Sequence, residues 1–236
     1  MILVVPLAGR GVRMNEYTLP KPLVTVAGRP MIAWALDSLK DIPRRQLVFV
    51  TLAEHERDFG IAKQLRELGG PDAAIVLLPG VTAGQLCTVL EARQFFRDEE
   101  DLLIASADTM VVSDLGRTIA ARRPDCRGII SVANLPGERW SFARTDATGQ
   151  VVEVAEKVRI SDHASTGLYY FARTADFLET ADEMISRQEK TRGEYYVIPV
   201  YQKYIERGWR VDIDRARQMW DLGTPEAKAA FEAQQA

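Results

Sequence analysis

The sequence predicts an α/β fold built on a mixed, mostly parallel central sheet, and three observations carry that expectation. Short apolar runs at Ile2–Leu7, Leu47–Leu52, Ala74–Leu78 and Asp101–Ala105 alternate with stretches of helical periodicity. Such alternation implies right-handed βαβ units and hence parallel neighbours. The first run ends in Gly9 and Gly11, and Asp108 stands just past the fourth, so both fall where an open α/β sheet collects its ligands, at the carboxyl ends of its strands. The second half changes character, with shorter runs joined by hairpin-type turns, which makes the sheet mixed.

The elements follow in order. After Ile2–Leu7 and a polar loop, Pro30 sits where a first helical turn tolerates it and opens a helix over Met31–Leu39. Leu47–Leu52 is the second strand, Glu54–Leu68 a helix stopped by Gly69-Gly70-Pro71, and Ala74–Leu78 the third strand. Leu86, Val89, Leu90 and Phe96 recur at near-helical spacing, and Asp101–Ala105 is the next strand. Gly128–Ala133, Phe142–Thr145 and Val151–Val154 read as strands, the last two joined across Asp146-Ala147-Thr148-Gly149, and Thr166–Ala172 as another. Ala175–Arg187 and Tyr195–Arg207 read as helices and Arg210–Ile213 as a strand, with Thr224-Pro225-Glu226 capping a last Ala-rich helix. With no repeat and no Pro/Gly/Ser-rich linker, a single domain over 1–236 is expected, parallel to about residue 125 and mixed from about 126 to 236.

Composition narrows the function. Apolar residues make up 47% and charged residues 27%, an ordinary soluble balance with enough apolar material for a core. A formal net charge of −3 with no Lys/Arg-rich block provides no basic face for nucleic acid. The first apolar run lacks a charged n-region and no stretch reaches the length of a membrane span, so no membrane partner is expected. Cys87 and Cys126 lie far apart and form no Cys-x-x-Cys pair, which indicates neither a disulfide framework nor a zinc site; the reading is cytoplasmic.

The loop after the first strand is built for phosphate. Glycines let the backbone take φ > 0 and bring N–H groups close to an anion. Arg13 and Lys21 supply cations, and Pro20 and Pro22 are expected to hold Lys21 on an extended path that excludes a helix. A dinucleotide fingerprint is disfavoured because Met14 stands at the third glycine position, and there is no Gly-Lys-Ser/Thr of a Walker loop. Asp108 suits Mg²⁺, since hard cations prefer oxygen ligands, and from the residue alone a helix cap or loop acid is an equal reading. Asp221, set between Trp220 and Leu222, needs compensation that a metal could supply. Glu156-Lys157 alone reads as solvated surface, and His55 and His163 have no partners that would make a His-centred device.

These residues carry a resemblance. Leu7-Ala8-Gly9-Arg10-Gly11-Val12-Arg13-Met14 with Pro20-Lys21-Pro22-Leu23 and Gly28-Arg29-Pro30-Met31 resembles the signature of the sugar-1-phosphate nucleotidylyltransferases, along nearly the whole chain. Ser106-Ala107-Asp108 falls on that family's metal-binding aspartate and Trp220-Asp221-Leu222-Gly223-Thr224 on its second. Glu156-Lys157 falls on its acceptor-phosphate motif, Thr166-Gly167-Leu168-Tyr169 on the strand beside its sugar pocket, and Arg192-Gly193-Glu194 on the segment offering a glutamate to sugar hydroxyls. The glycine loop, a residue shorter than in the thymidylyl and uridylyl members, resembles more closely the small cytidylyltransferases and capsule-locus members. The base-contacting stretch is matched only loosely by Val81–Cys87, and Val158 replaces the proline that commonly follows Glu-Lys.

The resemblance implies a Rossmann-like three-layer αβα sandwich, with a nucleotide-binding half and an acceptor-binding half. It implies a Mg²⁺-dependent in-line displacement, in which an acceptor's phosphate oxygen attacks the α-phosphorus of a nucleoside triphosphate, a pyrimidine one, and pyrophosphate leaves. Arg13 and Lys21 would be catalytic, Asp108 and Asp221 would hold the metal, and Leu7, Ala8, Gly9, Gly11, Gly84 and Gln85 would bind the nucleotide. Glu156, Lys157, Thr166, Gly167 and Glu194 would bind a sugar 1-phosphate or similar small phosphorylated acceptor. A homodimer is compatible with this reading. Two alternatives are a nucleotide-sugar-dependent glycosyltransferase of related fold, against which Thr109 and Met110 after Asp108 leave no Asp-x-Asp, and a non-catalytic module, which need not keep Arg13, Lys21, Asp108 and Asp221 together.

Overall fold

The computed structural model describes residues 1–9 and 18–235. Its first strand, β1 (Ile2–Pro6), has no polar side chain and is almost wholly buried, as a central parallel strand covered on both faces must be. A small hairpin of β2 (Thr25–Val26) and β3 (Arg29–Pro30) leads into α1 (Met31–Asp37). β4 (Gln46–Leu52) pairs parallel with β1, α2 (Ala53–Phe59) and α3 (Ile61–Gly69) cross over, and β5 (Ala74–Leu78) pairs parallel with β4. After α4 (Gln85–Leu90), β6 (Leu102–Ala105) returns parallel to the other side of β1.

Then come β7 (Thr109–Val112), α5 (Leu115–Ala120), β8 (Cys126–Ala133), and the antiparallel hairpin of β9 (Ser141–Thr145) and β10 (Val151–Glu156). Asp146 closes that hairpin's turn by accepting the backbone N–H groups of Thr148 and Gln150. β11 (Ala164–Phe171) runs antiparallel to β6 and β8, followed by α6 (Thr174–Ser186), α7 (Pro199–Glu206), β12 (Arg210–Arg215) parallel to β8, β13 (Gln218–Asp221) and α8 (Pro225–Gln235).

One nine-stranded sheet results, ordered β10-β9-β11-β6-β1-β4-β5, with β8 and β12 joined through β11. Side-chain alternation along β1 divides the core. Ile2 and Val4 pack with Leu86, Val89, Phe177 and Tyr201 of α4, α6 and α7, whereas Leu3 and Val5 pack with Ile32, Ile61, Leu65 and Leu115 of α1, α3 and α5. Helices on both faces of a mixed, mostly parallel sheet give the three-layer arrangement expected.

Four local differences have physical causes. The helix expected over 54–68 is two, because Gly60 sits at φ 58 and ends α2, while the Glu56 carboxylate turns to accept the Ala62 N–H at 2.7 Å and caps α3. The helix expected from Tyr195 starts at Pro199, since the Tyr195 N–H and C=O are committed to Ala83 and Leu86 across the chain. Lys21–Leu23 is a single 3₁₀ turn and not the extended path expected: Pro22 lies in a first turn, where no N–H is required, and the Leu23 N–H donates to the Pro20 carbonyl at 2.8 Å. β7, β13 and α5 were not anticipated, being short and only partly apolar.

Candidate active site

The two aspartates meet because of the unanticipated strands. β7 and β13 pair antiparallel with Thr109 opposite Asp221, and the Leu222 N–H continues the ladder to the Asp108 carbonyl at 2.8 Å. Residues far apart in sequence are thus brought to one edge. Lys21 Nζ comes in from its 3₁₀ turn and donates to Asp108 Oδ2 at 2.5 Å. A β-carbon on Gly223 would stand 2.7 Å from Asp108 Oδ2, 2.9 Å from Lys21 Nζ and 3.0 Å from Asp221 Oδ1, so two carboxylates and an ammonium border one small space that only a glycine leaves open.

Asp221 is the more enclosed acid. Its Oδ1 accepts the Gly223 N–H at 2.8 Å and its Oδ2 lies 2.6 Å from the Arg139 guanidinium. Burial pushes its carboxyl up, the Gly223 N–H opposes this, and the Asp108 carboxylate adds to the rise against Arg139 and Lys21. Two hard oxygen donors facing one space, one paired with Lys21 and the other with Arg139, fit a divalent ion. Among the described residues no group of three or more His, Cys, Asp or Glu side chains could hold a metal alone.

Two cavities adjoin at this edge. The first, about 360 Å³, is lined by Leu7, Ala8 and Gly9 at the end of β1, by Lys21, and by Gln85 at the start of α4. The second, about 370 Å³, is lined by Glu156, Lys157, Thr166, Gly167, Glu194 and Asp221. Gln85, Ser106, Asp108 and Tyr196 line both, so a ligand in one cavity could touch a ligand in the other. Gly84 lines neither. At φ 143 it lets the chain pass so close to Tyr195 that a β-carbon would stand 2.5 Å from that residue's amide nitrogen. Gly11 and Arg13 lie outside the described residues.

The second cavity has an ordered wall. Glu156 is buried and accepts the Ser141 hydroxyl; burial pushes its carboxyl up against that bond and the nearby Lys157 ammonium. Lys157 has φ 55, uncommon for a side-chain-bearing residue, and this directs the chain so that Nζ donates to the Tyr196 hydroxyl at 2.5 Å. Glu194 closes a tight turn with Thr191 in which Arg192 and Gly193 both have φ > 0. Thr166 and Gly167 belong to the irregular stretch of β11, with the Thr166 carbonyl accepting the Thr109 hydroxyl at 3.0 Å.

Gly167 is tightly constrained, at φ 86 with a built β-carbon 2.7 Å from Ser106 Cβ. Gly167→Ala is expected to destabilise the protein by about 1–3 kcal/mol through backbone strain alone, and more if Ser106 must move. Urea denaturation checks this; an unchanged midpoint and slope would mean that β11 relaxes freely there.

Ser106, Ser141, Tyr169, Tyr196 and Arg139 are site residues that sequence reasoning did not single out. Ser106 and Tyr169 stand within the stretches Ser106-Ala107-Asp108 and Thr166-Gly167-Leu168-Tyr169 that carry the resemblance, whereas Ser141, Tyr196 and Arg139 had no signal. His55 bonds Thr51 at 3.1 Å and is buried as a structural group, and both cysteines are free. No helix among the described residues is long and apolar enough to cross a membrane.

Residues 3–191 match the MobA-like NTP transferase domain. The chain is 28% identical over 198 residues to the bifunctional protein GlmU of Thermotoga maritima, covering 80% of this chain and 41% of that protein. It therefore spans about half the length, or less, of the curated relatives it matches. Its fold superposes on the nucleoside-diphosphate-sugar pyrophosphorylase from Vibrio cholerae RC9 with a TM-score of 0.84 at 27% identity, covering 99% of this chain and 100% of the other. The inositol-1-phosphate CTP transferase from T. maritima shares the fold, with a TM-score of 0.76 at 16% identity over 99% of this chain and 94% of that one.

Proposed function

The chain belongs to the MobA-like NTP transferase family, a family of nucleotidyltransferases, and on that premise we propose that residues 1–236 act as one pyrophosphorylase unit, transferring a nucleoside monophosphate from a pyrimidine triphosphate to a sugar 1-phosphate or similar small phosphorylated acceptor. The observation that carries this reading is the pair of adjoining cavities sharing Asp108, one bordered by the β1 loop and Lys21, the other by Lys157 and Glu194. A single-substrate hydrolase has no need of the second.

The residues divide the work by position. Backbone groups of Leu7–Gly9, with Gly11 beyond them in sequence, and the Gln85 side chain hold the nucleotide. Arg13 takes the β- and γ-phosphates that leave as pyrophosphate. Lys21 moves from Asp108 to the α-phosphate and neutralises it as charge develops. On the other side Lys157 grips the acceptor's phosphate, while Glu194 and the Thr166-Gly167 backbone orient its hydroxyls. Asp108 and Asp221 would hold Mg²⁺, which when bound supplies positive charge to phosphate oxygens of both substrates. Little covalent chemistry is asked of the protein, because in-line alignment and charge neutralisation dominate such transfers.

Lys157→Ala tests the division directly. A charge-assisted hydrogen bond of about 1.5–3 kcal/mol corresponds to an acceptor KM raised about 10- to 100-fold. The KM for triphosphate should move little, since that substrate lies on the other side of Asp108. Equal effects on both substrates, or none on either, would return Lys157 to the solvated surface.

A further inference from the structure

Few cations face the second cavity, where an anionic acceptor would lie. Among its described lining residues, four carry carboxylates, Asp108, Glu156, Glu194 and Asp221, and two carry cations, Lys157 and Arg139. Lys157 already shares its ammonium between the Tyr196 hydroxyl at 2.5 Å and Glu156 at 3.9 Å. Arg139 is engaged differently. One terminal nitrogen pairs with Asp221 at 2.6 Å, and the guanidinium lies over the Trp140 indole, 4.4 Å from its centroid.

A guanidinium has five N–H donors in a planar fork, and the contact with Asp221 uses one terminal nitrogen. The side chain is 46% exposed while its partner Asp221 is 14% exposed, so the guanidinium reaches the buried acid from an open position on the wall of the second cavity. The loop beneath it is fastened: Trp140 Nε1 donates to the Pro136 carbonyl at 3.0 Å, and Arg159 donates to the Leu135 carbonyl at 2.7 Å. Ring and carboxylate together therefore fix the plane of the fork before any ligand arrives, which is the condition for two-pronged recognition of phosphate.

We infer that Arg139 is a second phosphate-binding cation of the acceptor cavity, spanning Asp221 and the acceptor's phosphate beside Lys157. This rests on the acceptor reading given above. It also couples the two sides of the site: the group that holds Asp221 in orientation is the one that senses an acceptor. An acceptor with its phosphate lost or methylated would leave the fork unmatched.

Inorganic phosphate, titrated calorimetrically into the full chain with a non-hydrolysable nucleoside triphosphate already filling the first cavity, is the probe. Arg139→Gln and Lys157→Ala should each weaken its binding about tenfold. Arg139→Lys, which keeps the charge and can keep the ion pair with Asp221 but lacks the fork, should still weaken it by about three- to fivefold. If Lys157→Ala weakens binding and Arg139→Gln does not, the role of Arg139 is overturned and the acceptor reading stands. If Arg139→Lys binds as the unaltered chain does, recognition by the fork is overturned. If neither Lys157→Ala nor Arg139→Gln weakens binding, or the unaltered protein binds no phosphate, both the inference and the acceptor reading fail. Loss in Arg139→Gln alone keeps Arg139 and removes Lys157.

Discussion

Lys21→Ala is expected to lower turnover by about 10²-fold or more with both substrates saturating, since a lost electrostatic donor to developing charge costs on the order of 3–4 kcal/mol. The structure gives the residue two properties suited to that role. It is carried on a short 3₁₀ turn entered through Pro20, so few backbone rearrangements are open to it, and its ammonium rests 2.5 Å from Asp108 at the junction of both cavities. Folding should be nearly unaffected, because the Asp108 side chain is 32% exposed and water can replace the lost partner. Turnover equal to that of the unaltered enzyme would remove Lys21 from the chemistry.

Asp108→Asn and Asp221→Asn are each expected to cost about 10²-fold in kcat/KM, on the scale of one electrostatic contact in the transition state. The double change should cost scarcely more than either single one. Groups that serve one cation act as a unit, and once that unit is broken the second loss finds little left to remove. The shared space at Gly223 is the structural basis for expecting this, since both carboxylates lie within 3.0 Å of the same built atom. Steady-state kinetics over a Mg²⁺ series measures it. Strictly multiplicative losses would show that Asp108 and Asp221 serve separate purposes.

Much of this site was legible in the sequence because its signals are local. A glycine-rich turn after a buried strand, a lysine between two prolines and an acid just past a strand end each declare themselves within a few residues, and Leu7–Gly9, Lys21 and Asp108 do line one cavity. The assembly of the second cavity was not legible from the residues themselves. Asp221 reaches Asp108 through the β7–β13 ladder, two four-residue strands, Thr109–Val112 and Gln218–Asp221, with apolar runs of only three and two residues, too short to mark a strand. Arg139 and Tyr196 are single residues on connecting segments, and a lone arginine or tyrosine has no spacing to read. The helix boundaries failed for two reasons that periodicity does not register: Gly60 ends α2 locally, at φ 58 with its N–H on the Glu56 carbonyl, and the backbone of Tyr195 answers to Ala83 and Leu86, distant in the chain.

Release of pyrophosphate, followed over the four ribonucleoside triphosphates against a panel of phosphorylated acceptors with Mg²⁺ present, tests the central claim most directly. Pyrophosphate is expected to appear only when triphosphate and acceptor are both supplied, one for each acceptor consumed, and fastest with CTP or UTP. Pyrophosphate formed without an acceptor, or inorganic phosphate formed in its place, would contradict the claim.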